Sequence, residues 1–258
     1  MKRILILGVV LVMTVLFNGE MSELRAVELD PYEMLDAFGR FPFVRIIPLD
    51  SGNGWGVIYA DTNGKVFLNR WTGNSWKREW ELTNLGARVR KFFITDVEPD
   101  GSPDIVIATV AGRLLIYSMD GYVNLWENIE DNYTSIEAVE LTNIDSDPQQ
   151  EFVMIANGTL YIIDALDKSI QWKSERKFEG VSEIVVANMD ADDQLEIVLN
   201  TGIVIDSKFR NVELEWTESF GDRIMVFDMN NDGYPEVIGE FADYSLRIFD
   251  VYREREVW

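Results

Sequence analysis

The stretch "VANMDADDQLEIVLN" (residues 186–200) superposes without gaps on "LTNIDSDPQQEFVMI" (141–155) and "VFDMNNDGYPEVIGE" (226–240), and "ITDVEPDGSPDIVIA" (94–108) joins them. In each, an apolar run ends in an acid or amide, a short polar loop follows, and a carboxylate opens a second apolar run. The equivalent first loop positions, Asp96, Asn143, Asn188 and Asp228, lie 47, 45 and 40 residues apart. Self-similarity at such a period marks a repeated supersecondary unit. Counting back 48 residues from Asp96 reaches Pro48 in "PLDSGNGWGVIYADTNGKVF" (48–67), which keeps the apolar pattern and lacks most of the acids. A second marker gives the same count: Trp80, Trp126, Trp172, Trp216 and Trp258 recur at 46, 46, 44 and 42 residues. The chain reads as five units.

Within a unit, four short runs carry strand signals, as in "SEIVVANM", "EIVLN", "TLYIIDA" and "SIQWKSE" of residues 182–189, 196–200, 159–165 and 169–175. β-branched and aromatic residues in near-alternation, bounded by Gly, Asn and Asp, specify strands. Four strands per period of 40 to 50 residues is the pattern of a propeller blade. The expected fold is all-β, a five-bladed β-propeller with four antiparallel strands per blade, the blades spanning about 41–83, 88–130, 134–176, 180–219 and 222–258. The tryptophans are expected to act as apolar wedges between blades. Every blade comes from contiguous sequence, so ring closure is expected to rest on side-chain packing at the seam between the last blade and the first, with Trp258 docked there.

The chain opens "MKRILILGVVLVMTVLFNGE", in which Lys2 and Arg3 precede an apolar stretch from Ile4 to Phe17. These are the basic and apolar regions of a secretory signal, and the stretch is short for a membrane span. Residues 1–26 are therefore expected to be a signal peptide, or else an uncleaved anchor, and the protein to be extracytoplasmic. Residues 27–40, "VELDPYEMLDAFGR", place Asp30, Pro31 and Glu33 as a helix start and Gly39 as its stop. One short helix is expected there, over a channel mouth or the seam.

Composition narrows function. With 45 acidic residues against 23 Lys and Arg, the net charge is −22, which argues against nucleic acid or anionic membrane as a partner and favours cations. There is no cysteine and no histidine. Disulfides, thiolate or imidazole metal sites, Cys nucleophiles and Ser-His triads are excluded together.

The acidic loops carry the remaining signal. Numbered from the first acid, side chains at positions 1, 3 and 5, a backbone carbonyl at 7 and a carboxylate at 9 are able to converge on one hard cation, and Ca²⁺ takes six to eight such oxygens. The second unit supplies Asp96, Glu98, Asp100, Asp104 and the Ser102 carbonyl. The fifth supplies Asp228, Asn230, Asp232, Glu236 and the Tyr234 carbonyl. The fourth supplies Asn188, Asp190, Asp192 and Glu196, and the third Asn143, Asp145, Asp147 and Glu151. One such match arises by chance about once per 300 starts, so the force lies in four matches held in register with the repeat. Without a metal, the same residues would form acidic turns bonded to their own backbone. Position 6 ranks the loops: Gly101 and Gly233 allow a left-handed turn, Asp193 tolerates it, and Pro148 cannot adopt it. The first unit has Pro48, Asp50, Gly52 and Gly56 at the equivalent places and is expected to bind nothing. Of two candidate glycosylation sequons, at Asn132 and Asn157, Asn157-Gly158 reads as a hairpin turn.

"DVEPDGSPDIV" (96–106) and "DMNNDGYPEVI" (228–238) resemble the Asp-rich loops of FG-GAP or VCBS-type repeats, as in the integrin alpha-subunit propeller. The similarity runs over about 220 residues, from the first blade to the last. It implies a β-propeller with Ca²⁺ in interstrand loops that brace the structure. The Phe-Gly and Gly-Ala-Pro signatures of those repeats are missing, and integrin propellers have more blades than this chain has room for. The Trp-bearing runs "SMDGYVNLWEN" (118–128) and "ALDKSIQWKSE" (165–175) resemble the blade ends of quinoprotein-type propellers, which bears on fold and transfers no quinone site.

The expected function is that of a non-catalytic, exported binding or adhesion module for a protein or a glycan. A propeller hosts many functions, so the fold alone does not choose among them. The alternatives are a glycoside hydrolase or lyase using two carboxylates near the central channel, and a subunit of a cell-envelope assembly. The patterned acids are committed to the loops, and no acid pair stands out at equivalent strand starts.

Overall fold

The computed structural model describes residues 44–49, 54–129, 133–145 and 147–258. The expected signal segment, the short helix at 27–40, the acidic-loop positions of the first unit at 50–53 and the Asn132 sequon lie outside them.

Among the described residues, twenty strands form five antiparallel four-stranded sheets, each a simple meander. Blade 1 is β1 (Val44–Leu49), β2 (Gly54–Ala60), β3 (Val66–Trp71) and β4 (Trp76–Leu82). Blade 2 is β5 (Val89–Thr95), β6 (Asp104–Thr109), β7 (Leu114–Ser118) and β8 (Asn124–Glu127). Blade 3 is β9 (Ile136–Thr142), β10 (Glu151–Ala156), β11 (Thr159–Asp164) and β12 (Ile170–Lys177). Blade 4 is β13 (Ile184–Ala187), β14 (Glu196–Leu199), β15 (Ile203–Asp206) and β16 (Val212–Glu215). Blade 5 is β17 (Arg223–Phe227), β18 (Glu236–Glu240), β19 (Leu246–Asp250) and β20 (Arg255–Glu256). This is a five-bladed β-propeller.

Local sequence explains the sheets. The second strand of each inner blade, such as "DIVIAT" (β6) and "EFVMIA" (β10), is buried on both faces because a blade lies on each side of it. The Asn157-Gly158 turn joins β10 to β11 with φ of +50° and +72°. That is the two-residue hairpin geometry these residues favour.

Four buried apolar clusters fill the spaces between consecutive blades. Phe92 and Ile107 pack with Leu68 between blades 1 and 2, and Phe152 and Met154 with Val106 between blades 2 and 3. Ile197 and Leu199 pack with Ile162 between blades 3 and 4, and Phe249 and Phe220 with Val204 between blades 4 and 5. Trp80, Trp126, Trp172 and Trp216 each pack into the cluster on the far side of their blade, as wedges.

The seam differs from the expectation. Among the described residues no apolar cluster joins blade 5 to blade 1. Instead the free face of blade 1 presents Ile46 (68% exposed) and Trp55 (55%), with Val57, Tyr59 and Phe67 aligned beside them by strand register. The free face of blade 5 presents Met225 (57%) and Phe227 (62%), with Ile238, Leu246 and Ile248 in the same rows. Trp258, expected at the seam, is 67% exposed. The reason is local: β20 is two residues long, and the chain end turns back onto β19, where the Ile248 N–H donates to the Trp258 carbonyl. The indole is left in solvent.

Candidate metal centre

The four described acidic loops share one hydrogen-bond scheme, dictated by their spacing. The position-9 carboxylate opens the second strand of its blade and reaches back to the position-2 N–H. Val97 donates to Asp104 (2.9 Å), Ile144 to Glu151 (2.8 Å), Met189 to Glu196 (2.5 Å) and Met229 to Glu236 (2.8 Å). The position-5 aspartate accepts the position-7 N–H: Ser102 to Asp100, Gln149 to Asp147, Gln194 to Asp192, and Tyr234 to Asp232, at 2.6–3.0 Å. Short Asx turns of this kind fold the loop on itself.

The loops then divide into two pairs. In blades 2 and 5 the first acid is satisfied by the glycine at position 6. Gly101 (φ +86°) donates to Asp96 at 2.9 Å and Gly233 (φ +90°) to Asp228 at 3.0 Å. In blades 3 and 4 the first residue is an amide. Asn143 and Asn188 donate their Nδ2 to the carbonyls of Asp147 and Asp192 at 2.5 and 2.6 Å. Neither Pro148 nor Asp193 has a positive φ. A left-handed residue is therefore not needed to close this loop, and the ranking by position 6 misses that an amide at position 1 supplies the closing bond instead.

Carboxylate geometry follows the same division. Oxygens of Asp145, Asp147 and Glu151 lie within 4.8 Å of one another, and so do those of Asp190, Glu196 and Glu213. That separation is what two oxygens span across one calcium ion at 2.3–2.6 Å from each. Glu151 and Glu196 are fully buried, and in each the Oε1 atom has no hydrogen-bond partner. A buried acceptor left unpaired is costly. Burial, and then the neighbouring aspartates with Asp164 or Glu213, pushes both carboxyls up to about 7 against the pull of one backbone N–H each. A divalent cation would supply the missing partner and restore the charged form.

Blade 5 is the opposite case. Both oxygens of Asp228 accept backbone N–H groups, from Asp232 and Gly233. Those of Glu236 accept from Met229 and the Asn230 amide. Those of Asp232 accept from Tyr234 and from Arg253, whose Nη1 lies 2.6 Å away. All six are engaged, and a guanidinium holds the charge. In blade 2, Asp96, Asp100 and Asp104 each accept one or two backbone bonds. Burial raises the Asp104 carboxyl.

The central channel carries charges absent from the sequence reading. Adjacent blades meet there through β5 and β9, β9 and β13, and β13 and β17. Lys91 pairs with Glu140 at 2.5 Å, and Arg90 donates to the Ile136 carbonyl at 3.2 Å. Glu183 lies in the field of Lys91, Arg223, Glu140 and Arg90, and burial raises its carboxyl.

No family profile matches this chain, and no curated protein matches it in sequence. Solved structures do. BBS1N in complex with ARL6DN superposes with a TM-score of 0.58 at 15% identity, covering 84% of this chain and 68% of that one. The Vibrio cholerae (V. cholerae) biofilm matrix protein Bap1 gives 0.56 at 13%, covering 84% and 38%. Saccharomyces cerevisiae Sqt1 gives 0.53 at 13%, covering 76% and 55%. At these identities the likeness shows the propeller fold. This chain spans about two-thirds or less of each of those chains.

Proposed function

We propose that this chain is an exported, non-catalytic binding module, a propeller of the FG-GAP or VCBS kind braced by Ca²⁺, which engages a protein through the apolar faces of blades 1 and 5. The observation that carries the binding reading is the seam: Ile46, Trp55, Met225 and Phe227 are exposed on two sheet faces whose counterparts in the other blades pack into the four apolar clusters between blades. Contiguous exposed apolar surface of this kind marks an interaction site. The partner's chemistry follows from charge. On the blade 5 face itself Glu240 is paired with Arg223 at 3.7 Å and buried Glu236 with Met229 and Asn230, so the charge that a partner meets is the chain's overall −22. The complementary surface is apolar at its centre and basic at its rim. The complex of BBS1N with ARL6DN is an example of a propeller holding a protein. Export is supported by Lys2, Arg3 and the apolar run to Phe17. The non-catalytic reading is supported by the inward-facing acids, which sit beside Lys91, Arg90 and Arg223 rather than as a free pair.

Site-specific photocrosslinking in the native cell tests this, with the crosslinker at Trp55, Phe227 or, as a control, exposed Phe209 of blade 4. Adducts with one other protein at the seam positions only are expected. That protein, purified, should bind the wild type, bind less tightly as salt rises, and fail to bind Phe227→Asp. Adducts confined to this chain's own residues 27–40, to a second copy or to a glycan would overturn the proposal.

A further inference from the structure

The turn between the third and fourth strands holds a left-handed, non-glycine residue in four blades: Tyr122, Lys168, Arg210 and Glu254, with φ of +55°, +67°, +62° and +49°. Each lies four residues after the polar residue that ends its third strand: Ser118, Asp164, Asp206 or Asp250. Three of them touch the blade before. Tyr122 stacks on Trp80 at 5.5 Å, Lys168 lies 5.6 Å over Trp126, and Arg210 lies 5.8 Å over Trp172.

The preceding blade's acidic loop lies within reach of the same residue. Burial lowers the Lys168 ammonium, and Glu98 and Asp104 of the blade 2 loop favour its charge. Burial likewise lowers the Arg210 guanidinium, and Asp145 and Glu151 of the blade 3 loop oppose that. So the loops of blades 2 and 3 each lie in the field of a cation from the next blade, with no ion pair between cation and loop among the described residues; the Lys168 ammonium donates to the carbonyls of Ala165 and Leu166 in its own turn. Blade 5 has no following blade among the described residues, and takes Arg253 from its own turn. Of the four described loops, that of blade 4 alone has an acid, Glu254, in this position.

Glu254 lines an open cleft of about 450 Å³ between blades 4 and 5 whose acids are Asp190, Asp192, Glu196, Glu213 and Glu254. Into the same cluster Glu196, 1% exposed, brings a buried oxygen with no partner. We infer that a calcium ion binds between blades 4 and 5, held by Asp190, Glu196 and Glu213 and closed by Asp192 and Glu254. Glu213 and Glu254 lie outside the acidic-loop motif, and Glu254 belongs to a different blade, so the ion ties two blades together rather than folding one loop. This rests on the calcium reading above and narrows it to one principal site.

The test is calorimetric titration of the purified chain with calcium chloride, with thermal melts in calcium and in chelator. Wild type should bind one tight equivalent and melt higher in calcium. Glu254→Lys, which puts a cation at the turn position of Lys168 and Arg210 in blades 3 and 4, should lose that binding and that shift while melting higher than wild type in chelator. Glu213→Gln should weaken binding, as expected when one carboxylate leaves a calcium shell, with its circular dichroism unchanged. Asp145→Asn should bind as wild type does. Wild-type binding by Glu254→Lys and Glu213→Gln would overturn the inference. If binding is lost in Asp145→Asn instead, the ion lies in blade 3, and the calcium reading stands while this assignment fails. If wild type shows no calcium response, both fail.

Discussion

Single residues decide more here than their place in the repeat suggests. Trp258 keeps the period of its four predecessors but not their environment, so Trp258→Ala should change stability by no more than about 0.5 kcal/mol, the usual range for an exposed side chain. Phe249 is fully buried between blades 4 and 5, against Trp216 and Phe220. Phe249→Ala should cost about 3–5 kcal/mol by denaturant unfolding. Gly112 sits in the turn between β6 and β7 with φ +86°, and a Cβ there would lie 2.2 Å from the Tyr133 carbonyl oxygen. Gly112→Ala should therefore lower the melting temperature, through strain and displacement of the blade 2 to blade 3 connection. The tryptophan spacing was readable because spacing is a property of sequence. Whether a neighbouring blade covers the ring is not, and the fifth tryptophan shows the difference.

At the scale of elements, sheets and loops were legible and the partners of the loops were not. Alternation, β-branched runs and Asn-Gly turns specify the meanders locally, and the four acidic loops were visible as a register. What the register hides is that Lys168, Arg210 and Glu254 answer the loop of the blade before, about sixty to seventy residues away in sequence. A signal existed in their constant offset from the end of the third strand, but its meaning depends on the twist that brings one blade's turn over another's loop. The inner strands carry a further testable property. Burial raises the Glu183 carboxyl, Glu140 adds to the rise, and Lys91, Arg223 and Arg90 oppose it. A raised carboxylate takes up a proton on folding, so its contribution to stability is full below the ordinary glutamate range and is lost as pH rises through the raised value. Glu183→Gln should flatten that part of the pH–stability curve and raise stability at neutral pH, measured by urea unfolding at a series of pH values.

For the whole molecule, the blade count was readable from the period, and the state of the seam was not, because a repeat predicts each unit's contact with the next but says nothing of how the last meets the first. Among the described residues, four packed interfaces and one bare one make the five blades a row with two ends. In such a row stability is close to a sum of nearest-neighbour terms, and a unit at either end has only one neighbour to lose. Opening should then begin at the ends, in blades 1 and 5, while blade 3, held from both sides, opens last. Amide hydrogen exchange should show protection rising from β2 to β10 and falling again to β18, and a partner bound across the free faces should abolish the gradient by turning the row into a circle. Uniform protection in the unbound chain would mean that the ends are already joined.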